Sequence, residues 1–441
     1  MTQIAPGRRE AEGSALHTDS AFSWLMAFAG FVCVMCTYGA VTGSLPLIYG
    51  QVIDEFGWSR TSAVSIVALK NLFSAITSIF LVGFAINRFG LKAVMITAGV
   101  ITALGMASFS WIGSLYSYYF AGALIGIGVM PVMITCQVLV SRWFTRNQGL
   151  AVAIVASGVS AGGIIFPFVS SYLIEQIGWR LAFVVISTGI WAIALPLFVF
   201  LVKDKPDGAK VARQESQRKA QEAEKARLDA ADLDESFSDV LKTPGFWIVI
   251  SGLFLVSAAD SAVLQHTYLF LERELNLSAG AAAMGLSSIF GLGIFAKLLA
   301  GKFYDLFSIR GVSVWYLLIA ISIFLALQIN GAGWLAAFAI ARGIAHGGFV
   351  IVAPVVAKHC YGPRLINNVM PVYMGAFAVG NALGPTIMSA IYDSAGSYNL
   401  GFGLSAAVCV VSAASLLLVR PKYWDRVRAG EHGQLSKESS S

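Results

Sequence analysis

Gly83-Phe84-Ala85-Ile86-Asn87-Arg88-Phe89-Gly90-Leu91-Lys92 joins two long apolar runs, and Gly301-Lys302-Phe303-Tyr304-Asp305-Leu306-Phe307-Ser308-Ile309-Arg310 joins another two. The offset, from 83 to 301, is 218 residues. The same offset carries Arg146 onto Arg364, Gly162 onto Gly380, Pro167 onto Pro385 and Gly178 onto Gly396. A shared offset across several loops and helices marks a duplicated unit. Both copies lie in very apolar sequence: of 441 residues 57% are hydrophobic and 12% charged, with mean hydropathy +0.73. A soluble domain carries roughly a quarter charged residues.

The apolar runs fall at about 22–50, 62–86, 93–112, 116–140, 148–173 and 180–202, then at 245–271, 279–303, 312–330, 334–357, 366–391 and 399–419. Each is long enough to cross a bilayer as a helix, which takes about 20 residues. The reading is an all-α membrane protein of 12 transmembrane helices in two pseudo-symmetric six-helix bundles. The expected segments are a cytoplasmic tail 1–21, a first bundle 22–202, a charged cytoplasmic linker 203–242, a second bundle 243–420 and a cytoplasmic tail 421–441. The first 21 residues contain no apolar stretch or cleavage site of a signal peptide. With the N-terminus inside, 24 of the 30 Lys and Arg residues face the cytoplasm. Only Arg60, Arg180 and Arg273 fall in outer loops, the asymmetry that sets orientation in the cell (inner) membrane. The net charge of +6 is therefore assigned to loops facing anionic lipid, and nucleic acid is excluded as a partner. Cys33, Cys36, Cys136, Cys360 and Cys409 imply neither a disulfide framework nor a metal site.

Gly83 to Lys92 resembles the loop signature of the major facilitator superfamily, Gly-xxx-Asp-Arg-x-Gly-x-Arg/Lys, with Asn87 in place of Asp. The second copy keeps Asp305 and Arg310 and loses the Arg and the Gly. The resemblance spans about residues 22 to 420 and implies two halves rocking around a midplane site. It also implies a gating role for Asn87, Arg88, Lys92, Asp305, Arg310, Arg146 and Arg364, whose charges latch onto neighbouring helix ends. Trp143-Phe144-Thr145-Arg146-Asn147-Gln148-Gly149-Leu150-Ala151, followed by a ladder of Ala153, Ala156, Gly158 and Gly162, narrows the resemblance to the monocarboxylate-transporter and oxalate–formate-antiporter branch. In that branch the position of Lys297 holds a basic residue that engages the substrate carboxylate. The chain departs from the branch in three places. Thr37 to Gly43 replaces an acidic-aromatic motif, Gly293 stands where proton-coupled members carry an acid, and the eleventh run has Asn381 and no lysine.

Six ionisable residues stand inside runs: Lys70, Asp260, His266, Lys297, Arg342 and His346. Such residues are costly in a bilayer and are usually paired and turned to a cavity. At 1.5 Å per residue, Lys70 lies about 12 Å from the outer end of its run and Asp260 about 22 Å from the inner end of its own. A Lys70–Asp260 charge pair is feasible, as structural neutralisation or as a coupling gate. Lys297 reads either as snorkelling to the headgroups or as the carboxylate's counter-ion. Arg342 and His346, four apart, share a helix face. Arg342 offers a planar fork for a carboxylate, and His346 titrates near neutral pH; either also serves as a buried hydrogen-bonding group. Tyr38 and Asn381 complete the expected substrate-binding set of Lys297, Arg342, Tyr38, Asn381 and His346.

The function expected is secondary transport of a small organic anion, a monocarboxylate, by proton symport or by exchange. Drug or other small-molecule efflux within the same superfamily is the alternative. The sequence lacks a phosphate-cradling loop, a nucleophile elbow and a metal cluster, which argues against an enzyme. No cofactor is expected. The expected partners are a carboxylate substrate, protons and membrane lipid, with the chain working as a monomer.

Overall fold

The computed structural model describes residues 21–144, 148–202, 236–349 and 351–425. Arg146 and most of the 203–242 linker lie outside the described residues, and Arg364 is on a helix. The main helices are α1 (Phe22–Phe56), α2 (Arg60–Phe89), α3 (Leu91–Trp111), α4 (Leu115–Trp143), α5 (Leu150–Leu201) and α6 (Pro244–Glu274). They continue as α7 (Ala279–Ala326), α8 (Ala332–Phe349), α9 (Val352–Ala395) and α10 (Asn399–Leu416). Among the described residues, ten helices are long and apolar enough to cross a membrane, with Ala279–Lys297 and Leu299–Ala326 of α7 counted separately and α8 not counted, or eleven if Ala332–Phe349 and Val352–Gly362 form one bent span. This is an all-α, multi-pass membrane fold.

Starts and breaks follow from local chemistry. Ser59 and Ser278 begin α2 and α7 by accepting the backbone N–H three residues on, and Ser114 and Ser117 form a reciprocal capping box at α4. Pro244 opens α6, where its missing N–H costs nothing. Before it, the short helix Phe237–Leu241 is capped by Ser236, and hydrogen bonds from Ser236 and then Lys242 hold the Asp239 carboxyl below its usual range. Helix α5 is broken at Gly178, α7 at Ser308 and α9 at Gly362, all at positive φ. Gly90 (φ 84) and Ser308 (φ 51) occupy matching positions of the repeat, as do Gly178 (φ 77) and Gly396 (φ 72). The duplication is thus visible in the backbone, even where serine has replaced glycine.

Residue contacts divide the chain into two compact units. Among the described residues, the first comprises 21–42, 72–144, 148–162 and 180–202, the second 43–71, 163–179, 236–349 and 351–425. In the first unit α1 crosses α5 at glycines: a Cβ on Gly39 would sit 2.7 Å from Gly162 Cα. In the second, α6 crosses α9 at Ser257 and Gly380, where a Cβ on Gly380 would lie 2.1 Å from Ser257 Oγ. Positions 39 and 257 are again 218 residues apart, so the small-residue crossing that lets helices approach closely is repeated as well. The core of the second unit is aliphatic and aromatic, with Phe246, Tyr304, Tyr316, Phe349 and Tyr373 fully buried.

Candidate functional site

The charged centre of the second unit is assembled by α6, α7 and α8. On α8 the fourfold spacing puts Arg342 and His346 on one face. The neighbouring Gly343 and Gly347 let α7 approach: a Cβ on Gly347 would meet the Gly293 carbonyl at 2.4 Å and one on Gly343 the Leu292 side chain at 2.6 Å. Asp260 on α6 receives both α8 side chains. Arg342 Nη2 donates to the Asp260 backbone oxygen at 2.7 Å and lies 2.7 Å from Oδ1, the latter an ion pair outside hydrogen-bond geometry. His346 Nδ1 is 2.8 Å from Asp260 Oδ2. The side chains of Arg342 and Asp260 are 0% and 3% exposed and that of His346 17%, so the imidazole is the open edge of the trio. Among the described residues, Arg342 Nε and Nη1 have no hydrogen-bond partner. Removing one member of such a buried pair costs about 3–5 kcal/mol, because the other is left uncompensated.

This arrangement corrects the pairing expected from depth. Asp260 turns to Arg342 and His346 and is not paired with Lys70. Both helices approach α9: Asn71, next to Lys70, donates to Asn381 Oδ1 at 3.4 Å. Ser261, next to Asp260, donates to the Asn381 backbone oxygen at 2.8 Å. The carboxylate goes to the guanidinium because Arg342 engages its carboxylate and backbone oxygen at once, which a lysine point charge matches poorly. Lys70 is buried. Lys297 is half-buried and lies two turns along α7 from Phe290, on the same face. The Phe290 ring stands 6.1 Å from His346 and fills the space beside Gly163. Tyr38 belongs to the first unit, on the π-helical turn Met35–Gly39 of α1, where its backbone oxygen accepts from Thr42. At the repeat offset, Asp260, Lys297, Arg342 and His346 correspond to Thr42, Ile79, Leu124 and Gly128. The first half builds its helices without these charges, so the fold does not require them.

Of the gating residues, Lys92 reaches the end of α5 in the first unit, its ammonium donating to the Val199 carbonyl at 2.6 Å; cations suit these unpaired terminal carbonyls. Asn87, Arg88, Asp305 and Arg310 are exposed.

A second polar network, at the Arg60 end of the second unit, went unrecognised in the sequence. Asp393 of α9 accepts the backbone N–H groups of Arg60 (3.2 Å) and Thr61 (2.9 Å), capping α2 from another helix. The Arg60 guanidinium lies 3.6 Å over the Tyr392 ring and donates to Tyr398 Oη at 2.7 Å. Tyr398 meets His266 Nδ1 at 2.8 Å, and His266 Nε2 lies 3.0 Å from the Pro385 carbonyl. A carbonyl only accepts, so Nε2 carries the proton and Nδ1 accepts from the tyrosine. Arg273 pairs with Asp54, and Trp179 donates to Glu55 at 2.8 Å. Arg60 and Arg273, expected in outer loops, were the available signal; their partners, hundreds of residues away, were not.

The chain matches the Major Facilitator Superfamily over residues 27–329 and 292–439. It is 23% identical to monocarboxylate transporter 4 of Rattus norvegicus over 410 residues, covering 91% of this chain and 83% of the relative. It is 22% identical to the oxalate:formate antiporter of Oxalobacter formigenes over 401 residues, covering 89% and 90%. Its fold is similar to that of the peptide transporter POT in complex with sulfate, with TM-score 0.68, 13% identity and coverage of 91% and 95%. With the repeated loop, the repeated helix crossing and a match along nearly the whole sequence, the chain belongs to the major facilitator superfamily and is an alternating-access secondary transporter, not an enzyme.

Proposed function

We propose that the chain carries a small organic monocarboxylate, with Lys297 and Arg342 as the cations that hold it. The observation that carries this reading is the buried Arg342, which shares its charge with Asp260 yet retains two donor nitrogens, Nε and Nη1, without partners among the described residues. Buried donors left unpaired cost about 1–3 kcal/mol, and a carboxylate oxygen relieves that cost. Asp260 and Arg342 cancel as a pair, so Lys297 supplies the charge that offsets the anion. The relatives named for monocarboxylate and oxalate:formate transport support an anionic substrate. Tyr38 and Asn381 complete the polar contacts, and the chain uses proton symport or exchange.

The same reading takes the breaks at Gly178, Ser308 and Gly362 as reversals and Ala332–Gly362 as one bent span. The bilayer is then crossed twelve times, by bundles 22–202 and 243–420, with both termini cytoplasmic. Radiolabel counterflow in proteoliposomes across a panel of aliphatic and aromatic acids tests the function. Trans-stimulated uptake of at least one monocarboxylate is expected. Uptake of neutral or cationic compounds with no response to any acid overturns the reading in favour of efflux of another class.

A further inference from the structure

At the opposite end of the second unit from Arg60, the turn of α7 at Ser308 and the end of α10 enclose a cavity of about 540 Å³. That volume is within the roughly 300–1,000 Å³ of small-ligand clefts. Its charged lining comes from Arg310 on one side and Arg420 and Asp425 on the other, and its apolar wall includes Phe307, Leu417 and Trp424.

Two features build this cavity. Ser308 holds positive φ, a conformation costing a non-glycine residue about 1–3 kcal/mol, and its Oγ is tied to His359 Nδ1 at 3.0 Å. The segment after α10 is folded back and anchored: Tyr423 fills the space beside Gly362, where a Cβ would meet the ring at 2.5 Å, and Trp424 lies 6.1 Å from His359. Phe307 and Leu417 are 51% and 63% exposed, as suits side chains facing acyl chains at the end of a span.

We propose that this cavity binds the phosphate of an anionic phospholipid, with its acyl chains lying along Phe307 and Leu417. Two guanidiniums and one carboxylate leave one positive charge, which matches one phosphodiester. Arginine from two separate elements gives the planar, multi-donor contact that phosphate oxygens favour. Basic pockets at the ends of transmembrane helices suit lipid headgroups. The apolar wall gives the acyl chains a place that a soluble phosphate would leave wet.

The test measures lipid retention by native mass spectrometry and thermal stability of the detergent-purified full chain. Dioleoyl phosphatidylglycerol, phosphatidylethanolamine, phosphatidylcholine and soluble glycerol 3-phosphate are added separately. Phosphatidylglycerol should be retained and raise Tm, the zwitterionic lipids should do neither, and glycerol 3-phosphate should not displace it. Arg420→Gln should weaken retention about tenfold, the loss of one charge-assisted contact, and Arg420→Lys should recover part of it. Equal retention of all three lipids overturns the proposal, as does stabilisation by glycerol 3-phosphate alone. Unchanged retention in Arg420→Gln overturns it too. The wild-type lipid comparison holds even if that variant fails to fold.

Discussion

Lys297 is the residue on which the carboxylate reading turns. An anion moving from water into an apolar site loses several kcal/mol of hydration, and a positioned cation has to replace it. Lys297→Gln should therefore abolish uptake of the acid with folding and membrane insertion intact, and Lys297→Arg should keep partial activity. Native rate and affinity in Lys297→Gln would show that the lysine only reaches for the headgroups. Asp260 makes a separate, structural prediction. Asp260→Asn keeps its shape but leaves a fully buried guanidinium uncompensated, so it should lower stability by about 3–5 kcal/mol, read as the detergent melting temperature. A second change, Arg342→Gln, should restore part of the loss; a melting temperature that falls further would contradict the pairing. At this scale the sequence was half legible. Fourfold spacing put Arg342 and His346 on one face correctly, whereas depth along a helix says nothing of azimuth, and so it paired Asp260 with the wrong cation. Ser308 was opaque for another reason: the loss of glycine at that position hid a backbone that keeps the positive φ of its counterpart Gly90.

Helix crossings are where the repeat has mechanical meaning. At Gly380 a methyl group would come within 2.1 Å of Ser257 Oγ and 2.2 Å of the Phe254 carbonyl oxygen. Backbone cannot step aside as a side chain can, so Gly380→Ala should separate α6 from α9 at a cost of about 1–3 kcal/mol. Gly403, on α10, has nothing within 4 Å of its would-be Cβ, and Gly403→Ala should be neutral or stabilising by up to about 1 kcal/mol. Thermal melts of the two variants side by side check the contrast; equal effects would mean that the crossing is slack. Gly162 was legible as part of a ladder and Gly380 as its repeat partner. Which helix each one met was not, because small residues mark closeness without naming the neighbour. The same limit hid the contact of Asp393 with the start of α2, which joins residues more than 300 apart in sequence.

For the molecule as a whole, orientation is the next claim to test. All five native cysteines are buried, so introduced thiols should report against a quiet background. Trp58→Cys should react with an impermeant thiol reagent on intact cells, and Glu215→Cys only after permeabilisation; the opposite pattern inverts the topology. The multi-pass, all-α character and the duplication were legible because composition and repeat distance survive in one dimension. The unequal halves carry an electrical consequence. Three of the four matched first-half positions are uncharged by chemistry (Thr42, Ile79, Leu124) and the fourth, Gly128, has no side chain at all. Asp260 and Arg342 cancel as an ion pair, Lys297 is the cation proposed to meet the substrate, and a bound monocarboxylate lowers the charge of the site by one. A membrane potential does work of about 2.3 kcal/mol per charge per 100 mV, and it can grip only the state that carries net charge. For exchange without a proton, voltage should therefore act differently on the unloaded carrier and on the loaded one, a difference visible as transient currents that change when saturating acid is present on both sides.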